Sequence, residues 1–228
     1  MFQFGIDPRT AVATNMFALT FMSFGGTLPF LKSKVMDRRI LPALIALTVA
    51  GSMLGALLLL IIPARIVPIF VSFAILALAV WATFYRSFDL ETAIGLRNER
   101  MGYVLTFILG IYGGMFSGGY VTILTAVLVA SFRTTFLQAI AITKLLNIFS
   151  SGVAALIFMW RGLVDYRLGV ILATTTFVGA LLGARFASRL RDAWLRRIYL
   201  AAVWLLALKT LLFDVIRNSD IRAPQPSR

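Results

Sequence analysis

Lys144 stands in AIAITKLLNIFSSG, inside an apolar stretch with no acidic residue beside it. A charge at the centre of a bilayer costs on the order of 3 kcal/mol, and such residues face a cavity or a partner. On a helix Lys144, Asn147 and Ser151 fall at i, i+3 and i+7 and share one face, while Thr143, Asn147 and Ser150 line the neighbouring strip. One fixed positive charge among several hydrogen-bond donors suits an oxyanion. The competing reading lets Lys144 snorkel to an interface. A second group lies in GYVLTFILGIYGGMFSGGYVTILTAVLVA, where Gly110, Gly114 and Gly118 are spaced four apart beside Gly113 and Gly119. That spacing serves close helix packing. It also predicts a helix broken near Ser117, Gly118 and Gly119, whose second half would aim its N–H groups at an anion. The two readings are compatible.

The 228 residues contain no His and no Cys, so disulfides, thiol nucleophiles, imidazole proton relays and Cys/His zinc sites are excluded. No acidic residue falls at the middle of an apolar run, which disfavours a carboxylate-built cation site, a carboxylate proton relay and intramembrane acid–base catalysis. No cofactor and no metal site is expected, and the chain is not read as an enzyme.

Positioning these residues is the work of a membrane-embedded scaffold. The chain is 60% hydrophobic and only 14% charged, with a mean hydropathy of +0.92. Soluble domains carry about 25% charged residues, so a soluble particle is excluded. Spans of roughly 20 apolar residues are read at Ala11–Leu31, Leu41–Ile62, Pro68–Tyr85, Gly102–Ala130, Phe136–Trp160, Leu168–Phe186 and Ile198–Phe213. The expected fold is therefore an all-α polytopic membrane protein of about seven transmembrane helices. The net charge of +13 is assigned to basic loops that meet anionic lipid, not to nucleic acid. With seven spans, one side carries 12 Lys and Arg and the other 8, which favours a cytoplasmic C-terminus. Lys209 lies near the end of the last span and is assigned to interfacial anchoring.

The segment from Thr14, TNMFALTFMSFGGTLPFLKSKVMDRRILPALIALTVAGSMLGA, aligns with the segment from Thr143 across one single-residue gap. Thr14 matches Thr143, Asn15 matches Lys144, Asp37 and Arg39 match Asp165 and Arg167, and Gly51 and Gly55 match Gly179 and Gly183. The two Gly pairs are expected to set helix contacts between the copies, the Asp/Arg pairs to cap or pair in loops, and Pro29 to kink the first span. A duplicated three-helix unit follows, a common way to build a transporter. Its parts are a first repeat at 1–85, a loop at 86–101, a second repeat at 102–213 opened by the broken Gly-rich helix, and a polar tail at 214–228. The first copy is preceded only by MFQFGIDPRTAVA, so its opening helix is expected to be missing.

GIYGGMFSGGYVTILTAVL, AIAITKLLNIFSSGVAALIFMWRGLVDY and GVILATTTFVGALLGARFASRLRDAWLRR, in that order and with the looser first copy, resemble the TauE/SafE family of sulfite exporter-like permeases over about Ala11 to Phe213. The proline usual in that family's Gly-rich helix is absent after Gly119. The resemblance implies an inner-membrane, multi-pass permease for sulfite, sulfonates or related organic anions. By the same resemblance, Ser117, Gly118, Gly119, Thr143 and Lys144 line the path, and Thr14 and Asn15 partner them from the first copy. The expected partners are a small inorganic or organic anion and membrane lipid, with a homo-oligomer left open. The alternative is a non-transporting scaffold or partner subunit derived from a permease.

Overall fold

The computed structural model describes residues 7–32, 36, 38–63, 66–67, 98–132 and 134–190. The third and seventh expected spans, Asp37, Lys209 and the polar tail lie outside the described residues. Six helices and no strands are present among the described residues: α1 (Pro8–Lys32), α2 (Leu41–Ile61), α3 (Glu99–Met115), α4 (Tyr120–Phe132), α5 (Phe136–Trp160) and α6 (Tyr166–Ala187). Of these, α1, α2, α5 and α6 are long and apolar enough to cross a membrane.

Local chemistry fixes the helix ends close to where the apolar runs stop. Asp7 accepts from the backbone N–H groups of Arg9 and Thr10 at 3.0 and 3.1 Å, and Pro8 opens α1 with its preset φ. Asn98 caps α3 through the Arg100 N–H at 3.0 Å. Thr135 and Gln138 form a reciprocal capping box at the start of α5. Asp165 accepts from the Leu168 N–H at 3.1 Å and starts α6, the capping role expected of it.

The Gly-rich run behaves differently from the others. It breaks at Phe116–Gly119, as its glycines predict, but it then folds back. Gly102, near the start of α3, packs so closely on the end of α4 that an added Cβ would lie 2.6 Å from the Ser131 Cβ. The rings of Tyr103 and Phe132 meet at 5.0 Å. At 1.5 Å per residue α3 reaches roughly 25 Å and α4 roughly 20 Å, so only an antiparallel pair brings these ends together. Gly119 takes φ 75°, a left-handed turn open to glycine. The run expected as one crossing is a re-entrant helical hairpin.

The hairpin changes the sense of everything after it. Lys144, Asn147 and Ser151 of α5 meet Gly26, Ser23 and Thr20 of α1 in reverse order, so these two helices run antiparallel. Thr14 meets Asp165 and Gly25 meets Phe177, so α1 and α6 run parallel. Gly51 meets Phe107 and Gly55 meets Ile111, so α2 runs parallel to α3 and enters from the hairpin side. Helices aligned as sequence mates (α1 with α5, α2 with α6) therefore point in opposite directions, whereas a single crossing through 102–130 would have made them parallel.

Gly51 and Gly55 set a close contact between α2 and α3: a Cβ on Gly51 would lie 2.6 Å from the Phe107 carbonyl oxygen, and one on Gly55 would collide with that of Ile111. Among the described residues Gly179 and Gly183 make no such contact: both are exposed, and a Cβ on either would meet nothing within 4 Å.

With the hairpin folded back, Arg38, Arg39, Arg100, Arg185 and Arg189 share one side, against Arg9, Arg161 and Arg167 on the other. Basic residues collect on the cytoplasmic side, so the hairpin base is expected to face the cytoplasm. The natural absence of Cys makes this easy to measure. Single cysteines replacing Arg100, Thr135 and Arg189 should all react with an impermeant maleimide from the cytoplasmic side, and one replacing Arg161 from the other. Labelling of positions 100 and 135 from opposite sides would mean that the Gly-rich run crosses.

Candidate functional site

The tip of the hairpin lies deep among the spans. Gly114 sits against Ser52 of α2 too closely for any side chain, and Gly113 lies against Ser150 of α5, where a Cβ would be 3.0 Å from Oγ. Four residues of non-helical backbone are thus held past the midpoint of α2. Such backbone survives at this depth only when buried in protein or lining a cavity. Tyr112 donates its hydroxyl proton to the Gly118 carbonyl at 2.5 Å and ties the two arms together. From α1, Asn15 donates through Nδ2 to Ser117 Oγ at 3.2 Å. Ser117, Gly118, Gly119 and Asn15 are all half-buried. The first turn of α4 begins at Tyr120, so its positive dipole end is aimed at this spot.

The polar stripe expected on α5 exists, and α1 meets it with a stripe of its own. Asn147 donates to Ser23 Oγ at 2.5 Å, Thr20 Oγ1 lies 3.2 Å from Ser151 Oγ, and Ser151 donates to the Asn147 carbonyl. Asn147, Ser151 and Ser23 are almost fully buried. Thr143 turns the other way, to Thr125 of α4 at 3.2 Å. Thr14 accepts from the Asp165 N–H at 3.0 Å and thereby fixes the α5–α6 turn, away from the tip.

Lys144 lies half-buried at the hairpin-base end of this ladder, its methylenes along Gly26. It lines a cavity of about 230 Å³ with Phe30, Ile140, Ala180, Gly183 and Ala184. Among the described residues the acidic ones, Asp7, Glu99 and Asp165, all sit at helix ends, and none pairs with this amine. The lysine and the broken backbone do not share one pocket. Gly26, beside Lys144, and Asn15, beside Ser117, are eleven residues apart on α1, roughly 16 Å at helical rise. The hydrogen-bonded ladder joins them.

Thr20, Ser23, Thr48, Ser52 and Tyr120 complete this polar layer and were not singled out from the sequence. The signal for the first two was the three-residue spacing of Thr20, Ser23 and Gly26 on one face of α1, matching the stripe on α5. Ser52 gives no such signal, because it sits alone in an apolar run.

A family model described as sulfite exporter TauE/SafE matches residues 1–210. The chain belongs to the TauE/SafE family. It is 30% identical over 193 residues to a probable membrane transporter protein (ORF9) of Sinorhizobium sp., covering 80% of this chain and 70% of that protein. Identity to a probable membrane transporter protein of Haemophilus influenzae is 26% over 186 residues, 79% and 71% of the two chains. For the probable membrane transporter protein YfcA of Escherichia coli K12 it is 29% over 190 residues, 79% and 68%. No solved structure gives a significant match. As a TauE/SafE member with several apolar spans, the chain is an integral, multi-pass membrane transporter.

The ladder and the lysine should respond oppositely to mutation. Asn147→Leu breaks a buried interhelical bond and should cost about 1 kcal/mol, lowering the thermal midpoint of purified protein by roughly 3 °C. Lys144→Met removes a cation that has no acidic partner among the described residues from an apolar wall and should melt at or above the parent. A larger loss for Lys144→Met than for Asn147→Leu would make the lysine a structural residue.

Proposed function

We propose that the chain is a permease for a small anion, of the sulfite or organic sulfonate class, with its site between the two inverted halves. The observation that carries this reading is the depth of the hairpin tip. A helix N-terminus there, with Asn15 and Ser117 beside it, offers N–H and side-chain donors to an anion deep among the spans. Transporters built from inverted repeats place substrate at such half-helix ends near the bilayer midplane. Family membership supports the same substrate class.

Charge supports the sign. Lys144 sits in a cavity on the approach to the tip from the hairpin-base side, and no carboxylate among the described residues opposes it. An anion attracted to Lys144 can pass along Asn147, Ser23, Ser151 and Thr20, exchanging one set of donors for the next. That passage requires the α1–α5 ladder to part, and the sense of α1 and α5 suits a rocking of one half against the other. Thr143 and Thr14 act at a remove, by holding α4 and the α5–α6 turn in place.

Proteoliposomes loaded with sulfite provide the direct test. The parent should release sulfite faster than empty vesicles, and Lys144→Met should slow that release about tenfold, the factor expected when roughly 1.4 kcal/mol of anion stabilisation is lost. Lys144→Arg should keep most of the rate. Equal rates for parent and Lys144→Met would remove the lysine from the path. A parent inert toward sulfite, sulfonates and carboxylates would overturn the permease reading.

A further inference from the structure

On the α2 side of the hairpin lies a second polar centre that the anion path does not use. Thr48 Oγ1 and the Tyr120 hydroxyl are fully buried and have no hydrogen-bond partner among the described residues. The Tyr120 hydroxyl faces both Thr48 and Ser150 but closes no bond of acceptable geometry to either. Beside them Ser52 Oγ lies 2.7 Å from Ser150 Oγ and 3.1 Å from the Gly110 carbonyl oxygen. The walls are tight. A Cβ on Gly113 would meet the Tyr120 ring at 2.8 Å and Ser150 Oγ at 3.0 Å, and one on Gly110 would meet the Thr48 carbonyl oxygen at 3.3 Å.

Two unpartnered hydroxyls in a membrane interior call for an occupant, because burying a hydroxyl without a hydrogen bond is unfavourable. The closeness of Gly113 to the Tyr120 ring and Ser150 favours a monatomic occupant over a polyatomic oxyanion. Each hydroxyl oxygen offers lone pairs, and Gly110 adds a carbonyl oxygen. Gly110, Gly113 and Gly114 also belong to the last two turns of α3, the end where the helix dipole is negative. Neutral oxygens at a negative helix end favour a small hard cation, and unwound half-helix ends hold sodium in this manner in other transporters.

We infer that Tyr120, Thr48, Ser52, Ser150 and the Gly110 carbonyl form a sodium site behind the first turn of α4. The cation adds positive charge on the α2 side of the same hairpin that Asn15 meets from α1, so its occupancy favours an anion at the tip. The site itself goes beyond the anion reading and does not depend on which anion, if any, is carried.

Thermal unfolding of the purified full-length protein in sodium, potassium or N-methyl-D-glucamine chloride, at equal ionic strength and without substrate, tests it. Sodium should raise the midpoint in a saturable way, by roughly 3 °C or more once well above its Kd. Tyr120→Phe and Thr48→Val each remove one oxygen while keeping the shape. Both should melt like the parent in N-methyl-D-glucamine and lose most of the sodium shift. Equal midpoints for the parent in all three salts would overturn the proposal and leave a buried water in its place. So would a sodium shift that survives in both variants.

Discussion

Four residues of backbone that belong to no helix, Phe116–Gly119, lie half-buried among the spans, near the level of Ser52 of α2. Hydrocarbon tolerates unpaired N–H and C=O groups badly, at several kcal/mol each. The surrounding bundle is arranged to cover this tip. α2 brings Gly51, Ser52 and Gly55 against α3 at backbone distance, α5 contributes Ser150, and α1 contributes Asn15. Where two backbones approach this closely, only small residues fit, and van der Waals contact between them drives association in lipid, where no hydrophobic effect operates between helices. In the Gly-rich run, Gly118 and Gly119 stand in the break, while Gly110 and Gly114 let α3 pack against α2. Weakening a helix and burying its broken end are two consequences of one residue type.

From that constraint the order of the rest follows. Because the hairpin returns to the side it left, α5 enters the bilayer in the sense opposite to α1. Two helices of related sequence then face each other antiparallel, and polar residues on each find partners on the other: Ser23 with Asn147, Thr20 with Ser151. These neutral bonds are modest, averaging about 0.6 kcal/mol each where measured in a membrane protein. They hold α1 and α5 together without locking them. Lys144 stands apart, unpaired among the described residues and beside a cavity, and the net cost of such a charge is hard to explain by packing.

Composition was sufficient to reveal a membrane protein, and periods of about 20 apolar residues located α1, α2, α5 and α6 within a few residues of their ends. Those features are local: a helix in lipid bonds to itself, so length and hydropathy suffice. The break at Ser117–Gly119 was legible for the same reason, since adjacent glycines weaken a helix wherever they stand. The stripe of Lys144, Asn147 and Ser151 followed from helical periodicity alone.

What the chain of letters left undecided was direction and partnership. A Gly-rich run of 29 residues from Gly102 to Ala130 has the hydropathy of a crossing whether it passes through or turns back. Only the contact of Gly102 with Ser131 decided that it turns, because the return depends on α2 and α5 being there to bury it. Likewise Thr14 and Thr143 share a position in the two segments yet point to different neighbours, and Gly51 is packed where Gly179 meets none of the described residues. Hydropathy is a property of each residue, but the face on which it is spent depends on which other helix arrives.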